Sequence, residues 1–266
     1  MKQAILVVSY GSSHPSSIDT SIGHIEQKLE ETFLLEKKAL PVYRAFTSPM
    51  VIHSLKERYG YIVPTVEESI EHIKEDGITH LFIVPTHFLP GTSYTSIGTS
   101  IGHSTSYFEE IQLGTPLLLD SNHYETLIQT LKTIFPCSDA NQATIFLAHG
   151  SNHTLNTYYK KLEDKFHQLG YTNHFILTIA DLTNFDEVCK QLNLSTYEHI
   201  HIAPLLFTTG HHTLRDLCGE GEGSLASLLF AKGLHVTCSP KGLGEYEEFQ
   251  DMFIERIKKS SSYRFR

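Results

Sequence analysis

The sequence predicts an α/β protein made of two similar lobes, each a parallel sheet flanked by helices, with a cleft between the lobes. Short, continuous apolar runs, typical of strands buried on both faces, alternate with helical patterns. Two pairs of segments repeat in the same order along the chain, which indicates two homologous halves, 1–125 and 126–266. The length of 266 residues is sufficient for two cores of this kind.

Seven apolar runs are the predicted strands of the two sheets. In chain order they are AILVVSY (4–10), HLFIVPTH (80–87), TPLLLD (115–120), TIFLAH (144–149), HFILTIAD (174–181), HIHIAPLLF (199–207) and LHVTCS (234–239). The segments between them carry apolar residues at helical spacing, in places after a proline or before a glycine. They predict helices over 17–35, 65–76, 156–169, 185–192 and 246–257.

The internal repeat covers the turn after an early strand of each half and the loop after a later strand. ILVVSYGSSH (5–14) aligns with TIFLAHGSNH (144–153), and THLFIVPTHFLPGTSY (79–94) aligns with EHIHIAPLLFTTGHHT (198–213), both without gaps. Tyr10 stands where His149 stands in the second half, and Ser93 stands where His212 stands. Both differences put an imidazole just past the carboxyl end of a strand, which is the edge where open α/β sheets bind ligands.

His149 and His212 are therefore the candidate metal ligands. Two neutral imidazoles suit Co²⁺, Ni²⁺, Fe²⁺, Zn²⁺ or Cu²⁺ and are poor ligands for Mg²⁺ or Ca²⁺. A histidine can also accept a proton at physiological pH. The alternative for each is an ordinary loop residue. A zinc site formed by His211, His212 and Cys218 matches no familiar ligand spacing. His149 and His153 lie four apart, as in a two-histidine helical zinc site, but they lack the glutamate of HExxH and the site would begin in a loop.

The glycine–serine turns of the repeat are candidate anion sites. Residues 11–13 (GSS) and 150–152 (GSN) precede predicted helices, so their amides and hydroxyls lie at helix N-termini, which favour carboxylate or phosphate. Plain N-capping is the alternative, and the two roles are compatible. Neither turn is a GxGxxG or P-loop motif, so nucleotide binding has no motif support.

Composition excludes several classes of protein. The net charge of −9 argues against a general nucleic-acid binder. The apolar run 5–8 is too short for a signal segment or a membrane span, so we expect a cytoplasmic protein with no membrane partner. The four cysteines, Cys137, Cys189, Cys218 and Cys238, lie far apart without CxxC spacing, which predicts that they are reduced.

These motifs resemble those of the anaerobic-type sirohydrochlorin cobaltochelatases, which are class II chelatases of tetrapyrrole biosynthesis. The resemblance extends over nearly the whole chain. It rests on AILVVSYGSS (4–13), YRAFTSPMVIHSLKER (43–58), PTHFLPGTSY (85–94), LGTPLL (113–118), FLAHG (146–150), PLLFTTGHHTLRDL (204–217) and GLGE (242–245). The YRAFTS stretch and the two histidine contexts are the most specific of these.

The resemblance implies a chelatase that inserts a divalent metal, with Co²⁺ expected, into sirohydrochlorin in anaerobic cobalamin biosynthesis, without an organic cofactor. It implies that the tetrapyrrole and the metal lie between two similar halves, that His149 and His212 bind the metal, and that His149 accepts a proton. The expected substrate-binding residues are Tyr10, Ser12, Ser13, Arg44 and Ser93, with Arg44 equally suited to a structural ion pair. Insertion of Fe²⁺ or Ni²⁺, a non-catalytic tetrapyrrole- or metal-binding protein, and a homo-oligomer are open alternatives.

The sequence departs from the family pattern at two places. The usual glutamate on the strand that here reads ILTIADL aligns with Ala180, and Asp181 lies one position later. A second acidic residue often follows the glycine of PTHFLPG, where this chain has Thr92 and Ser93. The site has therefore lost carboxylates that could bind metal or take protons, which leaves the choice of metal open. Asp181 would substitute only if the strand shifted, because adjacent strand residues point to opposite faces.

Overall fold

Two four-stranded parallel sheets, one in each of two units, form the framework of the protein in a computed structural model. The structure describes residues 2–35, 40–102, 104–137 and 139–259, with only the backbone described for Leu35, His211 and His212. One unit comprises Met1–His123 with Gln250–Arg266, and the other comprises Tyr124–Phe249.

The first unit contains four parallel strands joined by helices. The strands are β1 (Gln3–Ser9), β2 (Val42–Phe46), β3 (His80–Pro85) and β4 (Glu110–Leu113), in the order β2-β1-β3-β4. The helices are α1 (Pro15–Ser17), α2 (His24–Leu35), α3 (Pro49–Tyr59), α4 (Val66–Glu75) and α5 (Thr92–Gly102). A π-helical segment, Ile18–Gly23, joins α1 to α2, so the predicted helix over 17–35 is present but changes its hydrogen-bond pattern midway.

The second unit repeats this arrangement. Its strands are β5 (Gln142–Ala148), β6 (His174–Thr178), β7 (His199–Pro204) and β8 (His235–Cys238), in the order β6-β5-β7-β8, again all parallel. Its helices are α6 (Tyr124–Ile134), α7 (His153–Gln168), α8 (Phe185–Gln191), α9 (His211–Cys218) and α10 (Leu225–Phe230), and helix α11 (Glu247–Lys259) begins in it. Short 3₁₀ segments occur at Ser121–His123, Ile179–Asn184, Leu194–Thr196 and Leu243–Glu245.

Strand register confirms the internal repeat. Val8 of β1 pairs with Pro85 of β3, and Leu147 of β5 pairs with Pro204 of β7. These four residues occupy matching positions in the aligned segments. The pairing register of the strands is therefore the same in both sheets, as the sequence alignment predicts. The predicted fold class, two α/β lobes with parallel sheets, is therefore confirmed for each unit.

Burial explains why the apolar runs of the central strands are continuous. Every residue of β1 is buried, and so is every residue of β5 after Gln142. Strands in the middle of a parallel sheet are covered on both faces, so both sets of side chains must be apolar. Each unit has its own apolar core, which includes Ile83 in the first unit and Ile202 in the second.

Helix α4 shows how local signals set the limits of a helix. The Thr65 hydroxyl accepts a hydrogen bond from the Glu68 amide at 3.2 Å, and the Glu68 carboxylate accepts one from the Thr65 amide at 2.8 Å. This capping box begins the helix, and Gly77, with φ of +71°, follows its end. Helices α7, α8 and α11 also agree with their predictions within a few residues. In the described part of the chain, no helix is long and apolar enough to span a bilayer.

The prediction of a strand over 115–120 is wrong. Leu117 and Leu118 are buried, but they lie in a turn, and their amides donate to the carbonyls of His87 and Phe88 at 2.8 and 2.9 Å. The leucines are apolar because this turn packs into the core, which apolar content alone does not distinguish from a strand. The strand predicted over 174–181 is also too long.

Strands β2 and β4 are the strands that the apolar pattern does not predict, and helices α3, α5, α6, α9 and α10 are also absent from the predicted elements. Both strands lie at the edges of the first sheet, and most or all of their residues are only partly buried. An edge strand has one paired side and more contact with solvent, so its sequence carries a weaker apolar signal.

The last helix groups with the first unit, which differs from the predicted division into 1–125 and 126–266. From Gln250 onward the chain belongs to the unit that contains β1. The Arg256 guanidinium donates to the carbonyl oxygens of Thr115 and Pro116 at 2.9 and 3.0 Å. Asp251 forms an ion pair with Lys28 of α2. These contacts join residues far apart in the chain, so no local pattern reveals them.

The expectation of four reduced cysteines is wrong for one pair. Cys218 and Cys238 are joined by a disulfide, with their Cα atoms 6.0 Å apart, whereas Cys137 and Cys189 are free. Twenty positions separate the bridged cysteines, so the spacing in the sequence gives no sign of the pairing. The end of α9 and the end of β8 meet only in the folded unit.

Candidate metal and substrate site

The second sheet places His149 at the point where its strand order reverses. From β5 the chain runs through α7 to β6 on one side, and β7 lies on the other side of β5. Sheets of this order bind ligands at the carboxyl ends of the two strands that flank the switch point. His149 directly follows β5, and it is exposed. The predicted position of His149 just past a strand end is confirmed, and its imidazole is accessible to a ligand.

His212 is carried by the segment that follows the other strand of the switch point. It is the second residue of α9, which begins after a short loop from the end of β7. The segments with the two histidines therefore start from adjacent strands of one sheet. The side chain of His212 lies outside the described part of the structure. A shared ion position for His149 and His212 stays a prediction.

Gly150 allows the chain to turn sharply after His149. Its φ is +83°, and a Cβ added there would lie 2.9 Å from the Cβ of Thr178, at the end of the neighbouring strand β6. The repeat has the same device, since Gly11 has φ of +100° and an added Cβ would lie 2.6 Å from the Phe46 ring. Both turns combine a left-handed conformation with close packing, a combination that only glycine satisfies without strain.

Replacing Gly150 by alanine is expected to lower the free energy of unfolding by about 2–4 kcal/mol, because a left-handed alanine and a steric clash add together. Gly170→Ala is the matched control, since Gly170 has φ of +88° but nothing within 4 Å of an added Cβ. Gly170→Ala should lower the free energy of unfolding by about 1 kcal/mol. Urea unfolding of both variants provides the measurement. Equal losses would show that contact with Thr178 does not constrain this turn.

The turns after β1 and β5 use polar side chains in local hydrogen bonds to backbone amides. Asn152 accepts a hydrogen bond from the Leu155 amide at 3.0 Å, and Asn156 accepts one from the Ser151 amide at 2.8 Å. In the first unit, the buried Ser12 hydroxyl accepts from the His14 amide at 3.3 Å. Capping of a helix N-terminus, one of the two roles considered for these segments, is therefore present after β5, where Asn152 caps α7. After β1 the cap position of α1 is His14, which makes no side-chain cap, and the Ser12 bond lies within the turn.

The structure gives a different setting for the position of the family glutamate. Strand β6 ends at Thr178, and Ala180 lies in the following 3₁₀ segment, so the alternation of faces assumed for a strand does not apply there. Asp181 accepts hydrogen bonds from the Thr178 amide and hydroxyl at 2.7 and 2.8 Å. Its carboxylate stabilises the start of this segment, and Ala180 supplies no metal donor.

The first unit has a polar cluster at the edge that corresponds to the histidine site. The Ser93 hydroxyl lies 2.5 Å from the Thr47 hydroxyl and 2.8 Å from Nε2 of His87. Burial lowers the pKa of His87 to about 4, so the ring is neutral at neutral pH. The cluster therefore offers hydrogen bonds without a positive charge. Thr47 is absent from the predicted site residues, although it lies within the YRAFTS motif.

The other predicted substrate-binding residues of this edge differ in accessibility. Tyr10 directly follows β1, as predicted, and 51% of its surface is exposed. Ser13 is half-buried, and Ser12 is buried in the turn, where its hydroxyl accepts from the His14 amide. Tyr10 is the most accessible member of this set, and its contact with a substrate stays a prediction.

Arg44 is engaged by a carboxylate of its own chain. Its guanidinium makes two hydrogen bonds to Glu26 of α2, one of them 2.8 Å long, and a third to the Tyr61 hydroxyl at 2.8 Å. Burial raises the pKa of Glu26, and the hydrogen bond from Arg44 offsets only part of this effect. This geometry favours the structural ion pair considered for Arg44. A substrate carboxylate would have to compete with Glu26 for the same donors.

Replacing Glu26 by glutamine is expected to lower the free energy of unfolding by about 2–4 kcal/mol, because it leaves a mostly buried guanidinium without a counter-charge. Glu71→Gln is the control, since it breaks the exposed ion pair of Glu71 with Lys74 and should cost less than about 1 kcal/mol. Chemical denaturation of both variants gives the comparison. A loss in Glu26→Gln no larger than in the control would contradict a structural role for Arg44.

Among the described side chains, which do not include that of His212, no three His, Cys, Asp or Glu residues are grouped as metal ligands. The zinc alternative with His211, His212 and Cys218 loses its thiolate, because Cys218 is bonded to Cys238. At the switch point the structure describes two exposed imidazoles, His149 directly after β5 and His153 at the start of α7.

Comparison with known proteins identifies the family. Residues 3–262 match the family described as cobalt chelatase (CbiK). The chain belongs to the cobalt chelatase family. Membership makes the protein an enzyme of the chelatase class, as the resemblance of its motifs implied.

Named relatives and solved structures agree with this assignment. The chain is 26% identical over 260 residues to the sirohydrochlorin cobaltochelatase of Salmonella typhimurium, covering 97% of this chain and 96% of that protein. It is 24% identical over 259 residues to the sirohydrochlorin cobaltochelatase CbiKC of Nitratidesulfovibrio vulgaris, covering 96% and 89%. SirB from Bacillus subtilis with Fe³⁺ superposes with a TM-score of 0.64 at 18% identity, covering 97% and 95%. At this identity the solved structure supports the two-lobed chelatase fold alone.

Proposed function

We propose that this protein inserts Co²⁺ into sirohydrochlorin, as a step of anaerobic cobalamin biosynthesis. The observation that carries the proposal is the exposed imidazole of His149, held at the carboxyl end of a central strand where a parallel sheet binds ligands. Membership in the cobalt chelatase family over residues 3–262 supports the reaction class. The substrate is that of the two relatives whose names give sirohydrochlorin.

Metal insertion exchanges one divalent cation for two pyrrole protons of the macrocycle. A neutral imidazole suits both halves of this exchange, because it is a good donor to Co²⁺ and a base near neutral pH. We assign to His149 the roles of metal ligand and proton acceptor, and to His212 that of second ligand. The macrocycle must distort for the metal to reach its nitrogens, and binding energy at the rim would drive that distortion.

The rim of sirohydrochlorin carries carboxylates, and the first unit offers neutral donors to bind them. Tyr10, Ser13 and Ser93 lie at its carboxyl edge and are at least partly accessible, whereas Ser12 is buried and Arg44 is paired with Glu26. We therefore assign carboxylate binding first to Tyr10 and Ser93, through hydrogen bonds rather than charge pairs.

The test is an anaerobic insertion assay with the purified chain, sirohydrochlorin and Co²⁺, followed by absorbance. Parallel reactions with Ni²⁺ and Fe²⁺ compare the metals, since imidazole donors accept all three. The proposal predicts a Co²⁺ insertion rate well above that of the same mixture without protein. A rate equal to the uncatalysed one would contradict it.

A carrier that binds the tetrapyrrole or the metal without catalysis is the second candidate function. The observation that favours it is Ala180, which stands at the position of the family's glutamate, while Asp181 is used in local hydrogen bonds. Such a carrier would bind Co²⁺ or sirohydrochlorin with measurable affinity but leave the insertion rate unchanged. Binding and rate measured on one preparation therefore separate the two functions.

A further inference from the structure

Two cysteines join the helix that bears His212 to the edge strand of the second sheet. Cys218 is the last residue of α9, and Cys238 is the last residue of β8. Their Cα atoms lie 6.0 Å apart, within the roughly 4.4–6.8 Å that disulfides span. The backbone therefore presents the two side chains at bridging distance.

The surrounding packing holds both cysteines in place. Leu217, next to Cys218, is fully buried in the core of this unit, and both cysteines pack against that core. Cys238 pairs in register with Ile202 of β7, so the sheet fixes its position. After Cys218 the chain turns tightly, since a Cβ at Gly219 would lie 2.4 Å from the Arg215 carbonyl oxygen. The proximity of the two sulfurs follows from the fold of the unit.

Both elements joined by the bridge are short, and β8 is an edge strand of the sheet. Helix α9 has eight residues and follows Gly210, which provides no side-chain cap, and β8 has four residues and pairs on one side with β7. Short elements of this kind are the first to open locally. A covalent link between their ends restricts such opening.

The pair is accessible to small reagents. Cys218 and Cys238 are each half-buried, so neither residue is fully enclosed in the core. A reversible disulfide needs access of this kind, because thiol–disulfide exchange proceeds by direct attack of one sulfur on another.

We propose that Cys218 and Cys238 form a reversible dithiol–disulfide site that reacts with small disulfides such as oxidised glutathione, and that its oxidation strengthens Co²⁺ binding by fixing helix α9. The effect on Co²⁺ rests on the proposed function of His149 and His212, whereas formation of the bridge does not.

The exchange balances without any further reactant. One cysteine thiolate attacks the small disulfide and releases one small thiol, which leaves a mixed disulfide on the protein. The second cysteine thiolate attacks the mixed disulfide, forms the Cys218–Cys238 bond and releases a second small thiol. The two cysteine protons end on the two released thiols, so the protein is oxidised by two electrons and the small disulfide is reduced by two.

The position of His212 explains why the bridge should affect the metal. His212 lies six residues before Cys218 on the same helix, about 9 Å along its axis. Holding the last turn against β8 limits the displacements available to the first turn. A histidine on a less mobile helix loses less conformational entropy when it binds an ion. The affinity of the site for Co²⁺ is therefore expected to rise.

The experiment uses the chain with Cys137→Ser and Cys189→Ser, which leaves only the pair. After oxidised glutathione or dithiothreitol, and removal of the reagent, thiols are counted, Tm is measured, and Co²⁺ is titrated. The oxidised form should have no free thiol, and the reduced form two. The oxidised form should melt about 5 °C or more higher and bind Co²⁺ at least about threefold more tightly.

The matched control carries Cys218→Ser and Cys238→Ser and keeps Cys137 and Cys189. It should show two free thiols and one Tm under both conditions. Free thiols remaining on the pair after oxidation would overturn the site, and equal or tighter Co²⁺ binding by the reduced form would overturn its effect on the metal. Loss of Co²⁺ binding in both forms, with the expected thiol counts, would instead overturn the roles of His149 and His212 and the effect that rests on them.

Discussion

Replacing His149 by alanine is expected to lower the rate of Co²⁺ insertion by about 10²–10³-fold, because one side chain serves as proton acceptor and metal ligand. The imidazole is exposed and follows the end of β5, so its removal should leave the core of the unit intact. Single-turnover insertion into sirohydrochlorin measures the rate, and a melting curve shows whether the fold is retained.

Two further variants separate the roles of His149 from a general effect of losing a histidine. His72→Ala removes an exposed histidine of α4 in the first unit and should leave the rate unchanged. His149→Gln keeps a polar side chain of similar reach without a basic nitrogen, so it should be nearly as slow as the alanine variant. Insertion by His149→Ala at the wild-type rate would remove this histidine from the mechanism.

The parts of the fold that the sequence predicts are those set by local pattern. Strand β1 and strand β5 are recognisable because their buried residues form continuous runs, and the two glycines at their ends mark the same turn. The register of the central strands follows from the repeat, since Val8 and Leu147 occupy matching positions and pair with the matching prolines. In these segments the local sequence and the global fold agree.

The parts that it does not predict depend on contacts between distant residues. The pairing of Arg44 with Glu26, the disulfide between Cys218 and Cys238 and the contacts of Arg256 each join separate elements. The sequence around an arginine does not show whether its guanidinium binds a substrate or a carboxylate of the same chain. The turn that contains Leu117 and Leu118 resembles a strand in sequence for a related reason, because apolar content indicates burial and not backbone conformation.

In the candidate site, too, the residues that the sequence predicts are those placed by local pattern, and the others depend on contacts between distant segments. The position of His149 follows from a strand and a turn that the repeat defines, so sequence reasoning reaches it. Thr47 joins the site only because the end of β2 lies beside the first turn of α5, which carries Ser93, and β2 has a weak apolar signal. The state of His87 depends on its burial, which a sequence does not report.

The stability of the second unit is expected to fall as the pH is lowered from about 6.5 towards 4, because of His174 in strand β6. Only 1% of this residue is exposed, and its ring stacks on Phe166 with centroids 5.1 Å apart. Burial, followed by the nearby positive charges of Lys132 and His167, lowers its pKa from 6.5 to about 4. His174 is therefore protonated less readily in the folded chain than in the unfolded chain.

The sign of the effect follows from this difference in proton binding. Between pH 6.5 and 4 the unfolded state binds more protons at His174 than the folded state, so the free energy of unfolding decreases as the pH falls. Above pH 6.5 the low pKa of His174 does not reduce the free energy of unfolding. Below this pH the free energy of unfolding falls by about 1.4 kcal/mol per pH unit, or by about 3 kcal/mol between pH 6.5 and 4. The low pKa of His87, also about 4, gives the first unit a pH dependence of the same sign.

His174→Phe is expected to remove this part of the pH dependence, because phenylalanine keeps the stacking on Phe166 and has no proton to bind. Urea unfolding between pH 4.5 and 7 should give a slope lower by about 1.4 kcal/mol per pH unit than that of the unchanged chain. His53→Phe, at an exposed position of α3, is the control and should keep the original slope. If His174→Phe also kept that slope, His174 would have to be as easily protonated in the folded chain as in the unfolded one, in conflict with its burial.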